Sequence, residues 1–419
     1  MLRILEDGSE SKGNGLLQDL DELAREGARL MLASALDAEA TEYVERHRGE
    51  RDAVGHAQVV RNGKARSRKV TMGSGTVPIS APRVNDRRPG ERFTSKILPP
   101  YMRKSPKVAE VIPVLYLRGL STGDFREALP ILLGDDASGL SPTAITRLTA
   151  AWEGEYREFR RRDLRDREYA YVWVDGIHFN IRLEADRLCT LVMLGARADG
   201  TKELIAVEDG YRESTESWLT LLRDLKRRGM RAPVLTIGDG ALGFWAAVRE
   251  VWPVARQQRD WVHRMANVLD KLPKRLQPAA KQLLREMMYA ESRAEAEALV
   301  ERFASAYAAK YPKAVASLTR DQEYLYSHFD FPAEHWKHIR STNVIESAFA
   351  TLRLRQRVTK GAGSRSKGLT MAFKLLEMAQ QRWRKLNAPE LLPLVLAGAP
   401  FRDGMQETDR EKKDRKVAA

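Results

Sequence analysis

Two short apolar runs, YAYVWVD at 169–175 and APVLTIGD at 232–239, each end in an aspartate followed by glycine. Runs this rich in β-branched and aromatic residues read as buried strands. Between them, RLCTLVMLGARADGTKELIAVEDGY reads as strand, Asp-Gly turn and strand. ESTESWLTLLRDLKRRG is an amphipathic helix stopped at Gly229, and ALGFWAAVREVW is another helix. A meander of three strands followed by helix, strand and helix predicts a mixed α/β layer of the ribonuclease-H-like kind.

An aspartate at the C-terminal end of a strand sits at the rim of an open α/β sheet, where ligands bind. If the two strands are neighbours, Asp175 and Asp239 face one crevice, and their repulsion calls for a cation between them. Mg²⁺ suits such a site, because it takes oxygen ligands and keeps waters for a phosphate substrate. Two ions about 3.5–4 Å apart serve in-line displacement at phosphorus. The plainer reading of each aspartate alone is a turn residue, since Asp-Gly is an ordinary turn dipeptide.

Glu346 is the candidate third ligand, in STNVIESAFATLRLRQR, where Ile345, Phe349 and Leu352 mark a buried helical stripe. Asn343-x-x-Glu346 also has capping-box spacing, which would tie the glutamate to its own helix end. From Ser347 to Leu376 there is no acid, while Arg353, Arg355, Arg357, Lys360, Arg365, Lys367 and Lys374 supply cations. A carboxylate leading into a wholly basic stretch suits a metal ligand beside a polyanion track, with Arg353, Arg355, Arg357 and Lys360 as candidate contacts.

The rest of the charge points the same way. The chain of 419 residues has 71 Lys and Arg against 57 Asp and Glu, a formal net charge of +14. Between Arg61 and Lys107 there are 13 cations and two acids in a pattern of short strands with Gly and Pro turns. A β-ribbon here would grip phosphates through Arg61, Lys64, Arg66, Arg68 and Lys69, with a flexible basic arm as the alternative. FREALPILLG and Ser141-Pro142 followed by TAITRLTAAWEGEYREFRR read as two helices joined by a turn. They fit a helix-turn-helix reader that exposes Thr143 and Arg147.

A single cysteine, Cys189, excludes an internal disulfide framework and a Cys-based zinc site. His328, His335 and His338 cluster in sequence, but a proline interrupts them, so zinc is not expected. No run approaches the roughly 20 apolar residues of a membrane span. MLRILEDGSESKGNG turns polar at once, so a cytoplasmic protein is expected. The last eighteen residues read as a disordered charged tail.

Beyond these local readings, VVRNGKARSRKV, VPISAPRV, LYLRGLSTGDFREAL, SPTAITRL, YVWVDGIHFNIR, LTIGDGALGFWAAVREVWP, DWVHRMANVLDKLPK and STNVIESAFATLRLRQR occur in one order. Over roughly residues 20–385 the chain resembles the mutator-type insertion-sequence transposases of bacteria. The resemblance implies a ribonuclease-H-like core whose Asp, Asp, Glu triad falls on Asp175, Asp239 and Glu346. It implies two Mg²⁺ ions per site, with Mn²⁺ able to substitute, and terminal inverted repeats and target DNA as double-stranded partners. It also implies an assembly of two or more copies on DNA, and a bacterial, nucleoid-associated location. The family's Cys-or-Asp, two residues, His signature falls on Asp260 and His263, with Asp260 where many relatives have Cys. His263 would bond a carboxylate or phosphate near the metals, and Trp261 would stack on an unpaired base. The plainer reading of all three is that they anchor the start of the following helices.

The expected organisation is a helical region at 1–60, a basic β-rich segment at 61–107 and a helix-turn-helix-like domain at 108–165. A first part of the core follows at 166–260, then a helical insertion at 261–338, the last catalytic helix with its basic part at 339–390, and a tail at 391–419. A ribonuclease-H-like nuclease or resolvase would share the metal site without strand transfer. A regulator with a decayed core would bind DNA and never cut.

Overall fold

A computed structural model gives the fold and describes residues 14–118, 142–181, 187–359 and 361–407, with Leu120, Leu129 and Leu133. The chain forms two compact units that divide between Leu148 and Thr149.

In the first unit, helix α1 (Asn14–Arg46) accompanies strands β1 (Val59–Lys64), β2 (Arg68–Met72), β3 (Gly75–Ile79) and β4 (Pro82–Asp86), then helix α2 (Pro106–Arg118). β2 and β3 form an antiparallel hairpin that closes with Met72 opposite Gly75, and β1 pairs antiparallel with β4. Val70, Val77 and Ile79 turn inward onto Leu36 and Leu98, while Lys69 beside Val70 stays exposed. The basic segment is therefore folded against α1. Arg88 donates to Asp86 at 2.7 and 3.0 Å, and Tyr43 of α1 donates to the same carboxylate at 2.6 Å. Of the expected helix pair, the first lies outside the described residues. The second, α3 (Pro142–Arg161), starts at the proline after Ser141.

The second unit is built on β5 (Tyr169–Phe179), β6 (Leu188–Arg197), β7 (Lys202–Asp209), β8 (Leu235–Gly238) and β9 (Arg256–Arg259). The sheet order is β7-β6-β5-β8-β9; the first three strands are an antiparallel meander, and β8 and β9 run parallel to β5. Helices α4 (Thr215–Arg227) and α5 (Phe244–Val251) cover one face, where Trp218, Leu222, Phe244 and Val248 meet Val172, Val174, Leu191 and Met193. After β9 come α6 (Trp261–Leu269), α7 (Gln277–Tyr289), α8 (Arg293–Tyr307) and α9 (Pro312–Thr319), then 3₁₀ turns and the short α10 (Trp336–Ile339). The chain then returns through α11 (Asn343–Thr359), which packs on β5, and α12 (Arg365–Gln380), which packs on β7. Coverage on both faces explains why β5 is apolar along nearly its whole length.

One strand is unexpected and one expectation is corrected. β9 has the sequence RQQR and no apolar residue, yet it is an edge strand with Gln257, Gln258 and Arg259 buried. The start of the expected disordered tail is ordered: Phe401–Arg402 pairs with Met405–Gln406, and the turn carbonyl of Gly404 accepts the Ala333 amide at 3.1 Å. Glycine is required there, because a Cβ at Gly404 would lie 2.5 Å from Ala333 and the φ is +84°. Among the described residues no helix is long and apolar enough to cross a membrane.

Candidate active site

The parallel register of β5 and β8 sets Val174 opposite Gly238, so the next residues, Asp175 and Asp239, emerge side by side. Both carboxylates are buried, with 5% and 7% exposure. Asp175 Oδ1 accepts the Gly176 amide at 2.7 Å, and Asp239 Oδ1 accepts the Ala241 amide at 3.3 Å. Between the two stands Arg212, whose Nη2 lies 3.0 Å from Asp239 Oδ2 and 3.6 Å from Asp175 Oδ1. The arginine is fixed at its backbone: its carbonyl accepts Trp218 Nε1 at 2.8 Å and the Gly243 amide at 3.0 Å. Its stem crosses Gly176, where an added Cβ would sit 2.6 Å from Arg212 Cβ. Burial still pushes the Asp175 carboxyl up to about 6, against the pull of Arg212, the Gly176 amide and His263. One guanidinium thus leaves the buried pair short of positive charge.

The other half of the site is made at helix starts. Asp260 follows β9, donates its amide to the Gly238 carbonyl at 2.9 Å, and caps α6 by accepting the Val262 amide at 2.8 Å. Its Oδ2 pairs with His263 Nδ1 and accepts Thr342 Oγ1 at 2.7 Å. Thr342 Oγ1 lies 3.4 Å from Glu346 Oε1, and His263 Nε2 lies 3.9 Å from the same oxygen. The hydrogen bond to Asp260 is the main reason His263 is pushed up to about 9, with Asp239 and Asp175 adding to it. His263 therefore couples the two halves electrostatically. Asp260, His263 and Glu346 bring ligand-type atoms within 4.8 Å of one another. The capping-box spacing at Asn343 is not used: α11 starts at Asn343, so Thr342 precedes it and Glu346 falls one residue past the box position.

His263 is within electrostatic reach of Asp175 and Asp239 and lies 3.9 Å from Glu346, so it links the aspartate pair to the tighter group of Asp260, His263 and Glu346. The other expectations fare unevenly. Trp261 is not exposed for stacking on a base: it is wholly buried and donates Nε1 to the Leu325 carbonyl at 2.9 Å. Arg355 cannot join a surface track, because it faces inward with 6% exposure; Arg353 and Arg357 on the same helix are exposed. Lys360 and the Thr143 side chain lie outside the described residues, and Arg147 is exposed. In the first unit Arg61, Lys64, Arg66 and Lys69 are exposed, and Arg61 and Lys64 share Asp37. Arg68 turns inward and donates to the Leu98 and Pro99 carbonyls at 3.1 and 3.0 Å. The three histidines have separate partners: His328 meets the Leu325 carbonyl, His335 meets Tyr171 Oη, and His338 meets Asn387 Oδ1. Sequence reasoning missed Arg212 and Thr342, whose partners are distant in the chain.

With clustered acids at the rim of a mixed sheet, the chain matches the family described as "Transposase, Mutator family" over residues 4–384, and it belongs to that family. Among its relatives, the transposase for insertion sequence element IS6120 of Mycolicibacterium smegmatis is 57% identical over 297 residues, 71% of this chain and 92% of that protein. The transposase for insertion sequence element IST2 of Acidithiobacillus ferrooxidans is 48% identical over 302 residues, 70% of this chain and all of that protein. A solved Drosophila P element transposase strand transfer complex aligns over 65% of this chain and 84% of that one. It does so at 11% identity and a TM-score of 0.22.

Proposed function

We propose that the chain is the transposase of an insertion sequence: it binds the element's terminal inverted repeats, cuts at its ends and joins them to target DNA. The reading is carried by one observation, two buried aspartates side by side where the parallel pairing of β5 and β8 ends, with a cation already between them. Such a pair fits hard divalent cations. Asp175, Asp239 and Glu346 would hold two Mg²⁺ ions, or Mn²⁺, which when bound would supply the charge that activates the attacking oxygen and stabilises the leaving one.

This chain's own groups do the positioning. Arg212 keeps the aspartates in place without metal and has to yield its position between them when metal enters. Thr342 and His263, both anchored on Asp260, hold Glu346 from its far side. A water oxygen attacks phosphorus at the element end and loses its proton to solvent, while the bond to the 3′ oxygen breaks and that oxygen takes up a proton. The freed 3′-hydroxyl then attacks phosphorus in the target, releasing the target's 3′ oxygen. No covalent link to the protein forms. The strand order, a meander followed by two parallel strands, supports a ribonuclease-H-like core. The exposed cations of the first unit and Arg353 and Arg357 of α11 are the candidate DNA contacts. Two ends must be held at once, so the working form is a dimer or larger assembly on nucleoid DNA in the cytoplasm.

The test is cleavage and joining of labelled element-end DNA with Mg²⁺ by wild type and by Asp175→Ala, Asp239→Ala and Glu346→Ala. Loss of both reactions with end binding retained supports the triad. Activity in Glu346→Ala sends the search for a third ligand to Asp260, and binding without cutting by wild type favours a regulator.

A further inference from the structure

Beside Asp239 lies a cavity of about 420 Å³ whose wall carries Arg259, Arg264, Lys271, Lys313 and Arg320. The cations come from the end of β9, from α6 and the turn after it, and from α9 and its end, so the sheet edge and the inserted helices build the wall jointly. Three acids also line it, Asp239, Asp260 and Asp321. Asp260 is already committed to His263, Thr342 and the Val262 amide, and Asp239 to Arg212.

Two of the cations are buried, Arg259 at 4% exposure and Arg264 at 8%. Burying a guanidinium is costly unless its charge is paired. Among the described residues no carboxylate lies within ion-pair distance of either. Arg259 is instead clamped between rings, 3.6 Å over Trp245 and 4.7 Å over Tyr324, with Nη1 donating to Gln257 Oε1 at 3.3 Å. Its buried Nε has no hydrogen-bond partner. Arg264 donates Nη1 to the Ser317 carbonyl, which tethers α6 to α9. Burial pushes Arg259 down to about 10 and lowers Arg264 as well, with Asp321 opposing both shifts. Rigid, desolvated guanidiniums with no carboxylate in ion-pair contact, opening onto a cavity where Asp321 supplies one opposing charge, suit a tetrahedral oxyanion with several acceptor oxygens.

We infer that this cavity is a phosphate subsite that seats a backbone phosphate of the DNA strand immediately next to the bond being cut. The inference rests on the transposase reading of the adjoining carboxylates. It gives the inserted helices a task at the reaction, clamping the strand beside Asp239 through Lys313 and Arg320 while Arg259 and Arg264 form the floor.

The test uses the fact that the chain's one cysteine, Cys189, is buried. Lys313→Cys is compared with Lys310→Cys, an exposed position outside the cavity, on element-end duplexes with a disulfide-linked thiol tether at single phosphates. Cross-linking of Lys313→Cys at the phosphates flanking the cut, at least about tenfold above Lys310→Cys, is expected. The double variant Lys271→Gln and Lys313→Gln should lower the salt dependence of end binding by about 0.9 for each phosphate that is no longer neutralised. If Lys313→Cys and Lys310→Cys cross-link alike at every position while wild type cuts ends, the subsite is overturned and the transposase reading stands. If inorganic phosphate shields Lys313→Cys from alkylation but end DNA does not, a free anion takes the strand's place and the inference also falls. If wild type never cuts any end yet the cross-links map beside Asp239, the reaction reading fails and the phosphate subsite stands.

Discussion

On the strand half of the site, Asp175 and Asp239 take their places from a backbone register, Val174 opposite Gly238. On the helix half, Glu346 takes its place among other side chains, with Thr342 and His263 both pinned to Asp260. The first arrangement is carried by the sheet and its core, so exchanging one carboxylate leaves the scaffold standing. The second is a network in which each member holds the next, so damage at one point spreads.

The sharpest way to break this comparison is at the strands. Asp239→Asn and Asp175→Asn should each lower strand cleavage and transfer by about a thousandfold or more, the several kcal/mol expected of a metal ligand. The metal-free protein should keep its cooperative thermal unfolding, and Asp175→Asn should melt no lower than wild type, because it removes one of two adjacent buried negative charges. A variant that unfolds would show that the carboxylates also build the fold. On the helix half, Thr342→Val and Asp260→Ala should each lower activity by about ten- to a hundredfold, the usual cost of losing a group that orients a ligand. Their double variant should fall well short of the product, since both act through one network. A fully multiplicative double variant would show that the helix half is not a network.

The same division decides what was legible in the sequence. Asp175 and Asp239 stand out because an acid interrupts an otherwise apolar buried run; the acid and glycine mark the end of β8, but β5 continues past Asp175 to Phe179, against the expectation that its strand stops there. The helix stripe around Glu346 is legible for the same reason. β9 was not, because its stability comes from partners far along the chain: Gln258 donates to the Leu325 carbonyl at 3.0 Å, and Ser327 donates to the Gln257 carbonyl at 2.6 Å. Arg212, in the turn after β7, reaches carboxylates on β5 and just after β8, and Thr342 reaches Asp260 across 82 positions. Periodicity sees what faces a core. It does not see which polar groups meet across a fold.

Arg212 offers a smaller effect that sharpens the strand side. Its guanidinium neutralises part of the charge that a metal would meet, so Arg212→Gln should tighten Mn²⁺ binding by roughly fivefold, taking the contact at about 1 kcal/mol. Titration followed by electron paramagnetic resonance reads this without any reaction. The metal-free variant should melt lower than wild type and recover more on adding Mn²⁺, since ligand binding stabilises the state that binds it. Unchanged or weaker Mn²⁺ binding would mean that the arginine supports the site and is not a counter-ion to be displaced.

The smallest effect expected is at Trp261, at the seam between the sheet and the helix half. Its indole donates to the Leu325 carbonyl, which also receives Gln258 Nε2 at 3.0 Å and faces His328 Nδ1 at 2.9 Å. Trp261→Phe therefore removes one of several hydrogen bonds to an acceptor that stays satisfied, and about 1 kcal/mol of stability is the scale of that change. A side chain stacked on a base would instead cost about 1–3 kcal/mol of binding to single-stranded DNA on replacement by alanine. Denaturant melts and single-strand affinity measured on Trp261→Phe and Trp261→Ala separate the two. Lower stability with unchanged affinity confirms a side chain that anchors α6 behind Asp260 and His263. A drop in affinity with stability intact would mean that the indole leaves its buried position when DNA binds, and the helix half would then be the mobile one.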